Sequence, residues 1–210
     1  MMVRRLPVWP TLLVLVAALV MVRLGVWQLD RRQEKQALLA RYAANEAKPL
    51  LPFVALWPVG DEALFRRTSL TCLQATDWHA EAGRSRTGLS GWRHLATCRT
   101  GVEGPGAMVD LGVSTSSQAP SWRGGRVTGR LVWAPSPAPL VARLFGLPTA
   151  PTPLVISEAA APGLQPTEQP GPSTITNNHL SYAVQWFVFA ALSVGLYALL
   201  LWRRWHGQRT

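Results

Sequence analysis

Four histidines and two cysteines are the side chains in this 210-residue chain best suited to metal or redox chemistry. His79 and His94 read as surface or structurally bonded residues, and His94, four residues before Cys98, is the one near miss for the short spacing of a copper or zinc site, which is less favoured. His206 stands beside a run of arginines near the C-terminus. His179 differs by position, because Asn177-Asn178-His179 forms a polar entrance to a long apolar run. On a helical projection His179, Trp186, Ala190, Ser193 and Tyr197 fall on one narrow stripe, with Tyr182 and Ala183 beside it. Two accounts fit that stripe. It packs against another helix, with small and hydroxyl residues allowing close approach and His179 capping at the water interface. Alternatively, a neutral His179 imidazole coordinates haem iron while aromatic residues such as Tyr182 and Trp186 pack on the macrocycle.

The remaining polar residues form no catalytic constellation. Asp61, Glu62, Asp77, Glu81, Glu103 and Asp110 stand singly and read mainly as solvated surface, and Ser114, Ser116 and Ser117 lack the flanking glycines of a nucleophile elbow. The stretch Gly101 to Gly106 reads as a hairpin turn and not as a phosphate cradle, since no strand, glycine spacing and helix surround it. A net charge of +10 raises the question of nucleic acid, but the arginines are scattered rather than striped, so no nucleic-acid partner is expected.

The element that must position His179 is a helix. From Tyr182 to Trp202 no residue carries a formal charge, and that run spans roughly 30 Å, the thickness of a hydrocarbon core. Tyr182 and Trp186 at one end, with Trp202 and Trp205 at the other, fit interfacial aromatic belts. A second apolar run extends from Val8 to Leu29, with Trp9 and Trp27 about 27 Å apart on a helix. It follows Arg4 and Arg5, but no small-x-small cleavage site ends it, so an uncleaved anchor is favoured over a signal peptide. Between Arg143 and Arg203 there is no Lys or Arg, whereas Arg203, Arg204 and Arg209 follow the second run, which directs the C-terminus to the cytoplasm. Two spans return the N-terminus to the same side.

Residues 1–7 are therefore expected to be cytoplasmic, 8–29 to be the first transmembrane helix, and 30–48 its helical extension, closed by Pro49 and Pro52. Residues 49–178 form a β-rich periplasmic domain, 179–202 the second transmembrane helix and 203–210 a cytoplasmic tail. Candidate strands are Leu64 to Gln74, Trp92 to Cys98, Ala107 to Gly112, Arg126 to Trp133 and Leu154 to Ser157. Pro135 to Pro153 and Pro162 to Pro172 read as extended, poorly regular connectors. The fold class is thus an α+β membrane protein, two transmembrane helices flanking a small β-rich domain, either a sandwich or a partly open barrel. A core of this size gains from a covalent staple. Cys72 and Cys98 fall at the ends of expected strands in an oxidising compartment, so a disulfide is favoured over two buried free thiols.

Two motifs are specific in order and in place. Leu24-Gly25-Val26-Trp27-Gln28-Leu29-Asp30-Arg31, with Lys35 after it, resembles the end of the first membrane helix in the surfeit locus protein 1 family of cytochrome oxidase assembly factors. Asn177 to Phe187 is similar to the start of that family's second helix. Phe65-Arg66-Arg67, Gly91-Trp92, Val109-Asp110 and Val127-Thr128-Gly129 resemble its internal landmarks. Leu111-Gly112-Val113 stands where the family usually has Arg-Gly-Trp, and Cys72 where a glycine is common. The resemblance implies a non-enzymatic assembly factor of the bacterial inner membrane, acting on oxidase subunit I and linked to the haem a synthesis machinery. It further implies that His179 holds haem a during haem insertion, the alternative being a membrane scaffold that stabilises an oxidase intermediate without binding haem, and Trp27, Gln28, Arg31 and Ser193 are expected to contact a partner.

Overall fold

The computed structural model describes residues 6–101, 106–135 and 151–206, and divides into two compact units, residues 39–175 and the helical segments on either side of them. Helix α1 runs unbroken from Val8 to Glu46. Pro10 falls in its first turn, where a missing N–H costs nothing. The good helix formers after Asp30 carry it about 58 Å in all. Its covered positions recur every three or four residues, through Met21, Gly25, Gln28, Arg32, Lys35 and Leu39 to Tyr42, the spacing of a helix that presents one seam.

Helix α2 spans His179–His206 and also shows one seam, in which Ala183, Trp186, Ala190, Ser193 and Tyr197 are covered. The two helices run antiparallel, since His179 at the start of α2 meets Gln28, while Tyr197 meets Thr11 near the start of α1. Both are long and apolar enough to cross a membrane, with mean hydropathies of 2.2 and 2.0 over their most apolar stretches. Most of their large apolar side chains face outward instead of into a protein core.

Residues 39–175 build one mixed sheet of seven strands: β1 (Leu51–Pro52), β2 (Arg67–Cys72), β3 (Gln74–Arg84), β4 (Ser90–Arg99), β5 (Ala107–Ser114), β6 (Gly125–Trp133) and β7 (Pro153–Ser157). Their order is β1-β2-β6-β7-β5-β4-β3, with β1·β2 and β5·β7 parallel and the other pairs antiparallel. In a flat sheet β2 and β4, four places apart, would be separated by about 19 Å. Yet Cys72 on β2 and Cys98 on β4 have Cα atoms 5.1 Å apart and form a disulfide. The sheet therefore curls until its ends approach, and Leu73 N–H donates to the Arg99 carbonyl across the closure. Of the two arrangements left open by the sequence, the partly open barrel describes it. Leu70, Ala96, Val109, Leu111, Val127, Leu131 and Val155 fill the interior around the buried cystine.

Several elements differ from the sequence reading. The expected strand Leu64 to Gln74 is shorter, because Phe65 takes a left-handed backbone with φ 63° to stack its ring on Tyr42, and β2 starts only at Arg67. Strand β3 was not expected at all. It is an edge strand, polar or small along both faces apart from Trp78, and broken by a bulge between Thr76 and His79, so it offers no apolar alternation to read. The connector Pro162 to Pro172 is regular where it crosses the barrel end: Gln165 and Val113 exchange N–H···O bonds of 2.9 and 2.7 Å, and Glu168 N–H donates to the Arg84 carbonyl. The expected turn at Gly101 to Gly106 and the connector Pro135 to Pro153 fall mostly outside the described residues, although β4 and β5 pair antiparallel with Cys98 opposite Ala107.

Candidate functional site

Where the seams of α1 and α2 meet nearest the N-terminus of α2, the chain gathers its most distinctive residues. Gly25 is buried there against the Phe187 ring, which a Cβ would approach to 2.6 Å. One turn on, Gln28 Oε1 lies 2.7 Å from His179 Nδ1. A carboxamide oxygen only accepts, so Nδ1 carries the proton and donates, and in the neutral ring Nε2 keeps its lone pair. This is the arrangement by which an outer partner fixes the tautomer of a metal-ligating histidine. Such a nitrogen, beside the outward apolar surface of the two helices, could hold a haem iron. No group of three or more His, Cys, Asp or Glu that could hold a bare metal ion occurs among the described residues.

The other expected site residues divide. Tyr182, one turn beyond His179, is half exposed, and Trp186, a turn further, is half buried and meets Phe189 edge-on at 6.4 Å. Trp27 lies under the Arg31 guanidinium at 5.7 Å, and Arg31 also reaches Glu34 at 2.6 Å. Ser193 is about 21 Å along α2 from His179 and donates to the Ala190 carbonyl of its own helix, so it lies outside the histidine site. Ala183 and Ala190 are buried, the small residues that let α1 approach. The link from Gln28 to His179 is a pairing that neither motif announces alone; its signal is a carboxamide on the seam of an apolar helix.

Within the β domain the structure corrects the reading of Asp110. This residue is fully buried, not solvated. Its Oδ1 accepts from Thr167 Oγ at 2.8 Å and from Gly112 N–H at 3.0 Å, and Oδ2 faces Arg93 Nη2 at 2.9 Å, a contact of charges out of line for a hydrogen bond. Burial pushes its carboxyl above the ordinary range, opposed by the Arg93 charge and by the two donors. Gly112, at φ 129°, leaves room for the Gln165 carbonyl, so Asp110 ties β5 to β4 and to the connector. His94 is buried as well and meets Ser114 Oγ at 2.9 Å through Nε2, a structural role. Leu111 and Val113, the departures from the usual Arg-Gly-Trp, are both buried.

The SURF1 family model matches residues 15–191, which takes in both helix motifs and the whole β domain. The chain belongs to the SURF1 family. No curated protein matches it. The SURF1 family is a family of assembly factors associated with cytochrome oxidase, not one of known enzymes. In this SURF1 member the matched landmarks do structural work: Arg67 pairs with Glu158 through two bonds of 2.7 and 2.8 Å, and Asp110 holds the barrel end.

Proposed function

We propose that this chain assists the insertion of haem a into subunit I of a haem-copper terminal oxidase, with His179 as a transient axial ligand to the iron. The observation that carries the reading is the hydrogen bond from His179 Nδ1 to Gln28, which leaves Nε2 available to a ligand. Gln28 orients the imidazole, and the outward apolar surface of the two helices supplies a non-aqueous flank. When bound, the haem supplies the iron that the imidazole coordinates. A single nitrogen ligand suits a carrier, because a site that binds both faces tightly cannot hand its cargo on to subunit I. The haem a synthesis machinery would be the donor.

The same proposal sets the chain in the bacterial inner membrane, crossing it with residues 8–29 and 179–202. The helical extension 30–48 and the β domain 49–178 then lie in the periplasm, and residues 1–7 and 203–210 in the cytoplasm. Support comes from the hydropathy and outward apolar faces of both helices, and from the cluster of arginines after Trp202.

One observation favours a second reading, a scaffold that stabilises an oxidase intermediate without haem. Ala183 and Ala190 are buried and Tyr197 meets Thr11 across the helix pair, so the stripe already has a use within the chain. Protein purified from cells that make haem a separates the two. Haem absorbance that disappears in His179→Ala, with helicity unchanged, supports the carrier; colourless wild-type protein that still retains subunit I supports the scaffold.

A further inference from the structure

We propose that Arg32 and Lys35 form an anion subsite next to His179 that binds the two carboxylates of the tetrapyrrole, an inference that rests on the haem reading above. Both residues continue the α1 seam beyond Gln28, at intervals of four and three, about 6 and 10 Å further along the axis. A seam position is ordinarily apolar. These two are half buried, while Asp30, Arg31, Gln33 and Glu34 around them are exposed. Arg31 is engaged by Glu34 and Trp27, but among the described residues neither Arg32 nor Lys35 has a hydrogen-bond or ion-pair partner. A half-buried cation without a counter-ion is costly, and an anion that arrives there offsets the cost.

The seam gives the subsite its direction. From Gln28 toward the N-terminus the next seam residues are Gly25 and Met21, both neutral. In the opposite direction α2 has no further turn, because it begins at His179. Along the seam, a tetrapyrrole whose iron meets the His179 imidazole therefore finds cations on one side only, Arg23 being exposed off the seam, and it carries both of its carboxylates on one edge. Arg32 offers a planar fork to one of them and Lys35 a point charge to the other. The chemistry sought is a pair of carboxylates; a lipid phosphate presents the same negative oxygens and must be separated by experiment.

The test uses the full chain in neutral detergent, titrated with haemin and with haemin dimethyl ester and followed by the Soret band. Wild type should bind the diacid about tenfold more tightly than the diester, the scale of two partly screened ion pairs. The double variant Arg32→Gln/Lys35→Gln should lose that preference and keep the Soret position, while Arg32→Lys/Lys35→Arg should retain most of it. A wild type without the preference, or a double variant that keeps it, overturns the subsite. So does a double variant whose only defect is weaker binding to phosphatidylglycerol vesicles, which would assign the two cations to lipid phosphate. A Soret shift on binding that is unchanged in His179→Ala would instead overturn the haem reading beneath it, a result distinct from all of these.

Discussion

At Asp110 one carboxylate joins three segments, and its chemistry predicts a pH response opposite in sign to that of Glu158. Burial raises the Asp110 pKa, so the folded chain holds that proton more tightly than the unfolded chain, and acidification through the window above the unfolded value favours the fold. Glu158 is held low, first by its hydrogen bond from Arg67, so its contribution is present above the unfolded pKa and is lost as pH falls through the folded one. Thermal melts between about pH 7 and about pH 3 should show wild type gaining on Asp110→Asn as pH falls, and losing its advantage over Glu158→Gln. At neutral pH Asp110→Asn should cost roughly 3 kcal/mol, because Arg93 is left largely buried without its counter-charge. None of this was legible in the sequence, where Asp110 and Arg93 lie 17 positions apart and Thr167 arrives from a proline-rich connector. His179, by contrast, was legible as the singular histidine, because a polar doorstep on an apolar helix is a local signal. Its partner Gln28 lies 151 positions away and became visible only when the seams met.

The strands that carry alternating or continuous apolar residues, β4 to β7, follow from the sequence to within a few residues. Strand β3 does not, since an edge strand with exposed polar positions resembles a loop in composition. Helix α1 is readable along its whole length from helix-forming residues, as is its closure before Pro49. Sheet order is not, because neighbours such as β2 and β6 or β5 and β7 are set by long-range pairing. The bridge between β2 and β4 closes a loop of sequence separation 26, and its removal by Cys72→Ser should cost about 3.5 kcal/mol on the loop-entropy account. Chemical denaturation of the oxidised protein and of this variant measures the difference. An unchanged midpoint would show that the barrel end is held by its hydrogen bonds alone.

For the whole molecule, two outward-apolar helices and a basic C-terminal flank predict that both termini share one compartment. A reporter fused after Thr210 should be active only when it is of a kind that works in the cytoplasm, and activity of a periplasm-dependent reporter at that position would reverse the topology. The order of synthesis adds a consequence of the curled sheet. Cys72 and Cys98 leave the ribosome before any residue of β5, β6 or β7, the three strands that later stand between β2 and β4. The covalent clasp can therefore close at the base of the β3–β4 hairpin, joining the end of β2 to the end of β4 while the strands that separate them in the sheet are still to be made. An oxidant that reaches the growing chain would thus set where the barrel must close before its wall is complete.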